Sequence, residues 1–280
     1  MGDMLTPAHR IVGIGPEAIL YLHGVGGDST SFDAQIGAGG PGFAHIAWDM
    51  PGYGDSAPLP EMTFAALAEA ALRLIDALEI EKAHVIGHSM GGMIAQELAA
   101  HHPDRVASLV LSATSPAFGK SDGDWQNKFL AARLAPLDAG KTPADLAPAI
   151  VEALVADGAN EAAKAAAIAS MSRITPEAYR AALTCLVTFD RRDALATIEV
   201  PTLAIAGEFD TTAPPKVVAR MADAIPGARY VLLPGVGHLA NVESPAAYNA
   251  ALGEFFASLG PPWGSPGARK DPRSRKRVCD

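Results

Sequence analysis

Only two of the 280 residues are cysteine, Cys185 and Cys279. Two thiols cannot build a disulfide framework, and no C-x-x-C or Cys/His cluster has zinc-ligand spacing. A reducing cytoplasm is therefore the expected compartment, and no metal is expected. No apolar run approaches the roughly 18 to 20 residues that span a bilayer. Residues 1–10 lack the basic and long apolar regions of a secretory signal, so no membrane partner is expected either. Internal repeats are also missing. Charged residues make up only 19% of the chain against 49% hydrophobic. A chain this long and this apolar buries a full core, which excludes disorder for most of its length.

The formal charge of −9 is unevenly spread. Residues 261–280 hold six bases (Arg269, Lys270, Arg273, Arg275, Lys276, Arg277) and two acids, a charge of +4, which leaves −13 on residues 1–260. The acidic body lacks the clustered Lys and Arg that phosphate backbones require, so no nucleic acid is expected on it. The last twenty residues, rich in Pro, Gly and like charges, read as a basic disordered tail.

What the chain does contain is an alternation of short β-branched runs with helical patterns, the mark of an α/β fold with a mostly parallel sheet covered by helices. Strands are expected over 18–22, 43–48, 83–87, 108–112, 202–206 and 229–233, and helices over 64–78, 90–101, 216–224 and 245–259. Between Ser115 and Asp190 the alternation stops. About four Ala-rich helices replace it, two of them opened by Thr142-Pro143 and Thr175-Pro176, where Thr caps and Pro takes the first helical position. The expected organisation is a core of residues 1–114 and 191–260, a helical cap over 115–190, and the tail 261–280. A cap inserted there overhangs the carboxyl ends of the strands, where open α/β sheets bind ligands.

One glycine-flanked serine stands at a strand-to-helix junction: Gly87-His88-Ser89-Met90-Gly91. A strand that turns sharply into a helix projects the central side chain above the sheet, and the flanking glycines remove the clashes of that turn. An ordinary glycine-rich turn would explain the glycines but not the strand and helix around them. A serine hydroxyl is a poor nucleophile at neutral pH and needs a base, itself oriented by an acid. Asp210 follows the strand expected over 202–206, and His238 follows the one expected over 229–233, so all three sit at the same sheet edge in the order Ser, Asp, His. Among the other histidines, consecutive His101 and His102 point about 100° apart, and His84 and His88 lie about 13 Å apart along one strand face. Neither pair can share a metal. Glu208 is the nearest rival to Asp210 for the acid.

Acyl chemistry at Ser89 also needs backbone amides aimed at the developing oxyanion, one following the nucleophile and one from an early loop. Met90 and Val25, the latter in His23-Gly24-Val25-Gly26-Gly27, are the candidates. The competing glycine motifs fail on context. Pro58 and Pro60 follow Gly52-Tyr53-Gly54-Asp55-Ser56-Ala57 where a dinucleotide fold needs a helix. Gly119-Lys120-Ser121 and Gly140-Lys141-Thr142 have Thr114 and Ala135 where a phosphate loop needs its first glycine. No nucleotide, flavin or other cofactor is expected.

With those residues in place, the chain resembles the α/β-hydrolase superfamily over about residues 18–259. The match runs through His23-Gly24, Asp49-Met50-Pro51-Gly52-Tyr53-Gly54-Asp55-Ser56, the elbow at Ser89, Asp210 and Gly237-His238. Within that superfamily it is most similar to the 3-oxoadipate enol-lactonases and the cofactor-free haloperoxidase/esterase group. Trp125, Thr175-Pro176-Glu177-Ala178-Tyr179, Asp190-Arg191-Arg192-Asp193-Ala194-Leu195, Val200-Pro201-Thr202-Leu203 and His238-Leu239-Ala240-Asn241-Val242-Glu243 carry this finer likeness. The resemblance implies an α/β-hydrolase fold with a helical cap; the lead-in before His23 is shorter than the family pattern, so the usual first strand is expected to be missing or reduced. Enol-lactonases place an arginine three residues after the cap tryptophan, where this chain has Lys128.

The expected activity is hydrolysis of a carboxylic ester or (enol-)lactone through Ser89, His238 and Asp210 and an acyl-enzyme. Substrate recognition is assigned to the cap: Trp125, Phe129 and Leu130 as an apolar wall, with Lys128, Arg133 or Arg173 meeting a carboxylate. The alternatives are a carbon-carbon hydrolase of aromatic ring-cleavage products and a haloperoxidase-like perhydrolase, both using the same three residues. A non-catalytic binding module is the third. The expected partner is a small-molecule ester or lactone, and the sequence leaves room for a homo-oligomer.

Overall fold

The computed structural model describes residues 6–37, 42–119 and 123–260. The basic tail and both ends of Lys120-Ser121 fall outside the described residues. Seven strands form one sheet: β1 (His9–Val12), β2 (Glu17–Leu22), β3 (Phe43–Trp48), β4 (Ala83–His88), β5 (Val106–Ser112), β6 (Thr202–Gly207) and β7 (Arg229–Leu233), in the spatial order β1-β3-β2-β4-β5-β6-β7. All neighbours pair in parallel except β1, which runs antiparallel to β3 with His9 opposite Trp48.

The central strands read as near-continuous apolar runs because both of their faces are covered. Along β2, Ala18, Leu20 and Leu22 join the cluster of Leu67, Leu74, Ile94, Leu98 and Val218, so α1 (Phe64–Ala77), α2 (Met90–His101) and α7 (Pro215–Ala224) lie on one face. The alternate residues Ile19 and Tyr21 pack with Phe32 and with Tyr248, Leu252 and Phe255 of α9 (Pro245–Ser258) on the other. The short helix α8 (Ala240–Glu243) leads into α9. The first strand is missing from the sequence-based assignment because Ile11 and Val12 are exposed, so it carries no half-buried alternation to read.

Four helices intervene between β5 and β6: α3 (Asp124–Asp138), α4 (Pro143–Leu154), α5 (Glu161–Ser172) and α6 (Pro176–Leu186). Thr142 and Thr175 cap α4 and α6 as their sequences imply, Thr142 in a reciprocal capping box with Asp145. The two ends of this insertion are stitched together by Phe118 N–H to Phe189 O (2.9 Å) and Arg191 N–H to Pro116 O (2.7 Å). Arg191 also forks onto the buried Glu97 of α2 through two hydrogen bonds of 2.5 and 2.6 Å. The neck of the cap is thereby tied to the helix that follows Ser89. Among the described residues, no helix is long and apolar enough to cross a membrane.

Candidate active site

Ser89 has φ 53° and ψ −120°, a left-handed φ that a non-glycine residue adopts only under constraint. The constraint comes from packing on both sides. A Cβ on Gly87 would lie 2.4 Å from the Gly91 carbonyl oxygen, and one on Gly91 would lie 2.0 Å from that of Leu22. Only glycine therefore lets β4, α2 and β2 close around the turn. Ser89 N–H donates to Ser112 O at 2.9 Å, and Ser89 O accepts from Thr114 Oγ1 at 2.8 Å, which fixes both sides of the serine's backbone.

The loop after β2 presses directly on this turn, since a Cβ on Gly24 would come within 3.0 Å of Ser89 Cβ. Its orientation follows from four hydrogen bonds. His23 Nδ1 lies 2.8 Å from Gly24 O while its Nε2 accepts from Met50 N–H at 3.0 Å, so Nδ1 carries the proton. Gly27 N–H reaches the same Gly24 carbonyl at 3.0 Å, and Tyr53 Oη donates to Val25 O at 3.0 Å. The trans peptide opposes C=O and N–H, so holding Gly24 O against His23 turns the Val25 N–H the other way. Burial pulls the His23 imidazole below its ordinary range, consistent with a neutral ring. Met90 is the first residue of α2, where an N–H has no intrahelical acceptor.

Asp210 and His238 meet across 28 residues, His238 Nδ1 donating to Asp210 Oδ2 at 2.8 Å with both side chains buried. The other carboxylate oxygen of Asp210 accepts from Thr212 and Ala213 N–H at 2.8 and 2.9 Å. With Nδ1 engaged, the Nε2 of His238 is the nitrogen left to handle protons. Glu208, the rival acid, is exposed and accepts from Gly235 N–H at 2.8 Å, away from the imidazole.

Sequence reading missed His88. Its Nε2 lies 2.9 Å from His238 O, and the two rings stand 4.9 Å apart. Burial, and next the neighbouring His238, push its imidazole down to about 3, so it stays neutral and donates to that carbonyl. Its place inside the elbow was the available signal.

Ser89, His238 and Val25 line a cavity of about 430 Å³ beneath the cap, a size that suits a small ligand. From α3, the cap contributes Trp125, Phe129 and Arg133, one stripe at four-residue spacing. Trp125 stacks on Phe129 (5.5 Å between centroids), and the Arg133 guanidinium lies 5.5 Å from the centre of the Phe129 ring. Two cationic candidates are corrected. Lys128 is exposed and outside the lining, because it sits about 100° around the helix from the centre of that stripe. Arg173 is held by Asp28, with Nε to Oδ2 at 2.8 Å, and by Thr30 Oγ1 at 3.1 Å. Leu130 packs against the core rather than the cavity.

Residues 17–245 match the family profile described as alpha/beta hydrolase fold. The chain is 32% identical over 251 residues to a protein of Caulobacter sp. strain K31 named provisionally as the carbamate hydrolase RutD, covering 86% of this chain and 91% of that one. It is 28% identical to the pimeloyl-[acyl-carrier protein] methyl ester esterase of Klebsiella pneumoniae strain 342, covering 90% and 98%. The solved enol-lactonase of Burkholderia xenovorans LB400 superimposes with a TM-score of 0.79 at 28% identity, covering 89% of this chain and 96% of that one.

Proposed function

Because the chain belongs to the α/β-hydrolase family, we propose that it is a serine hydrolase that cleaves a carboxylic ester or lactone through an acyl-enzyme, with Ser89 as nucleophile, His238 as base and Asp210 as its orienting acid. The observation that carries this reading is the buried Asp210–His238 hydrogen bond opening on the same cavity as the strained Ser89. The Klebsiella esterase and the Burkholderia lactonase support the bond class.

In the proposed reaction, His238 Nε2 takes the hydroxyl proton as Ser89 Oγ attacks the carbonyl carbon. The oxyanion is held by the N–H groups of Val25 and Met90, which are worth most in a site that excludes water. When the tetrahedral adduct collapses, the imidazolium returns its proton to the leaving oxygen. Water then attacks the acyl-Ser89 as His238 takes its proton, and when this adduct collapses the imidazolium returns that proton to Ser89 Oγ and the acid departs. Asp210 holds the productive tautomer throughout.

The cavity wall narrows the substrate further. Among the described residues, Arg133 is the only Lys, Arg, Asp or Glu in its lining, and no carboxylate pairs with it. Burial pushes the Tyr179 phenol up, and Arg133 nearby opposes that shift. A lone cationic side chain on a wall that carries no carboxylate suits an ester or lactone that bears an anionic group.

The test is a panel of lactones, short acyl esters, carbamates and ring-cleavage dienones, each assayed with the wild type and with Ser89→Ala. Turnover of an ester or lactone that vanishes in Ser89→Ala is the expected result. Turnover confined to dienones or carbamates would overturn the bond class, and undiminished turnover by Ser89→Ala would overturn the nucleophile.

A further inference from the structure

The backbone N–H groups around His238 are taken up by the cap and by one carboxylate, Glu243. Glu243 Oε1 accepts from the N–H groups of Gly237 (3.1 Å) and Leu239 (3.0 Å). Oε2 accepts from Gly237 N–H (3.0 Å) and from Ala156 N–H (2.8 Å) in the segment that leaves α4. Between them, His238 N–H donates to Leu154 O at 2.7 Å. Three consecutive amides at the imidazole's base are thus fixed either by Glu243 or by the end of α4. Contact there is close enough that a Cβ on Gly237 would meet Leu154 O at 2.5 Å and Ala156 N at 2.8 Å. The core holds the same loop from the other side, through His88 Nε2–H to His238 O, Phe209 N–H to Val236 O at 2.9 Å and the Asp210 carboxylate on Nδ1. The same turn of α4 also faces the ligand, since Ile150, Val151 and Leu154 line the cavity.

A carboxylate can accept four hydrogen bonds and donate none, so one group can gather donors from two parts of the chain. Glu243 does this between the cap and the loop of the base. We propose that Glu243 is a positioning residue: it locks the His238 peptide to the C-terminal end of α4, so that the placement of the base depends on the seating of the cap. The proposal rests on the reading of His238 as the base.

Glu243→Gln keeps the shape of the side chain but replaces one acceptor oxygen by an NH2 donor, which then faces N–H groups. Ala156→Pro removes the cap-side donor and sets the ring Cδ in its place against Glu243 Oε2, which breaks the tie from the cap side, and Val155, at φ −92° and ψ 159°, already has the extended conformation that precedes proline. Each change is made in the full chain and in a His238→Ala background. Hydrolysis of an aryl acetate is followed at a temperature where circular dichroism shows every variant folded. Because a misplacement of about 1 Å costs about 100-fold, Glu243→Gln is expected to lower kcat by about 10- to 100-fold, with KM within about threefold. Ala156→Pro is expected to lower kcat by about 3- to 10-fold, on the same grounds. Neither should slow the His238→Ala enzyme further, because a residue that acts through the base has nothing left to position. An unchanged kcat, or equal losses in both backgrounds, would overturn the proposal and leave Glu243 a purely structural tie. Should Glu243→Gln fail to fold, Ala156→Pro decides by the same comparison. If His238→Ala itself retained wild-type turnover, the assignment of the base would fall first, and the two failures are therefore distinguishable.

Discussion

Substituting His88 by glutamine should make the protein less sensitive to acid. The native ring is pushed down to about 3 by burial, with the His238 and His23 rings opposing its charge and the His238 carbonyl and Asp210 favouring it. In the unfolded chain the same imidazole titrates near its ordinary value of about 6.5. Between those values the unfolded chain holds a proton that the native protein excludes, so stability falls as pH drops below about 6.5 and is flat above it. From pH 7.5 to 5.0 the interval below 6.5 is about 1.5 units. At about 1.36 kcal/mol per unit, His88 alone removes about 2 kcal/mol over that range. His23, His45 and His84, all lowered by burial, add to the loss but are common to both proteins. His88→Gln has its own cost at pH 7.5 from repacking. The informative quantity is therefore the change in unfolding free energy between the two pH values, from urea titrations of wild type and variant. The wild type should lose about 2 kcal/mol more than the variant. Equal losses, within about 0.5 kcal/mol, would mean that His88 is protonated in the native protein and cannot be the neutral donor to His238 O.

Asp210→Asn preserves the bond to Nδ1 in shape but favours the wrong imidazole tautomer, and kcat should fall by about 10³- to 10⁴-fold with KM little changed; an effect below tenfold in steady-state kinetics would remove Asp210 from the mechanism. Arg133→Ala should lower kcat/KM for carboxylate-bearing esters or lactones by about 10- to 100-fold and spare neutral ones, the cost of about 1.5 to 3 kcal/mol for a charge-assisted hydrogen bond. Lys128→Ala should leave both substrate classes unchanged, and a selective loss there instead would move the anion site to the outer flank of α3.

The central parallel strands were readable because burial on both faces leaves dense apolar runs, and the structure alters most of their ends by only a residue or two. The first strand was not, since an exposed four-residue edge carries no pattern that pairing with β3 would impose. At the site, chain order and strand ends brought Ser89, Asp210 and His238 to one sheet edge without any structure. Their supports were illegible for a physical reason. His88 reaches His238 O across 150 residues, and Glu243 reaches Ala156 across 87, distances over which sequence spacing says nothing about contact. The cap cations failed differently. Lys128 was named for its place three residues after Trp125, but which side of α3 faces the cavity is set by packing of the cap, which turns Arg133 inward instead, and Arg173 was already committed to Asp28 on a loop far away in sequence.

The central claim is that Ser89 is the nucleophile. Its most direct test is labelling of the full chain with a fluorophosphonate, followed by peptide mass spectrometry and assay of ester or lactone hydrolysis on the same samples. A single adduct on Ser89, formed in step with loss of hydrolysis and slowed in His238→Ala, is the predicted result. An enzyme that keeps its full hydrolytic rate with Ser89 labelled, or that carries the adduct on another residue, would contradict it.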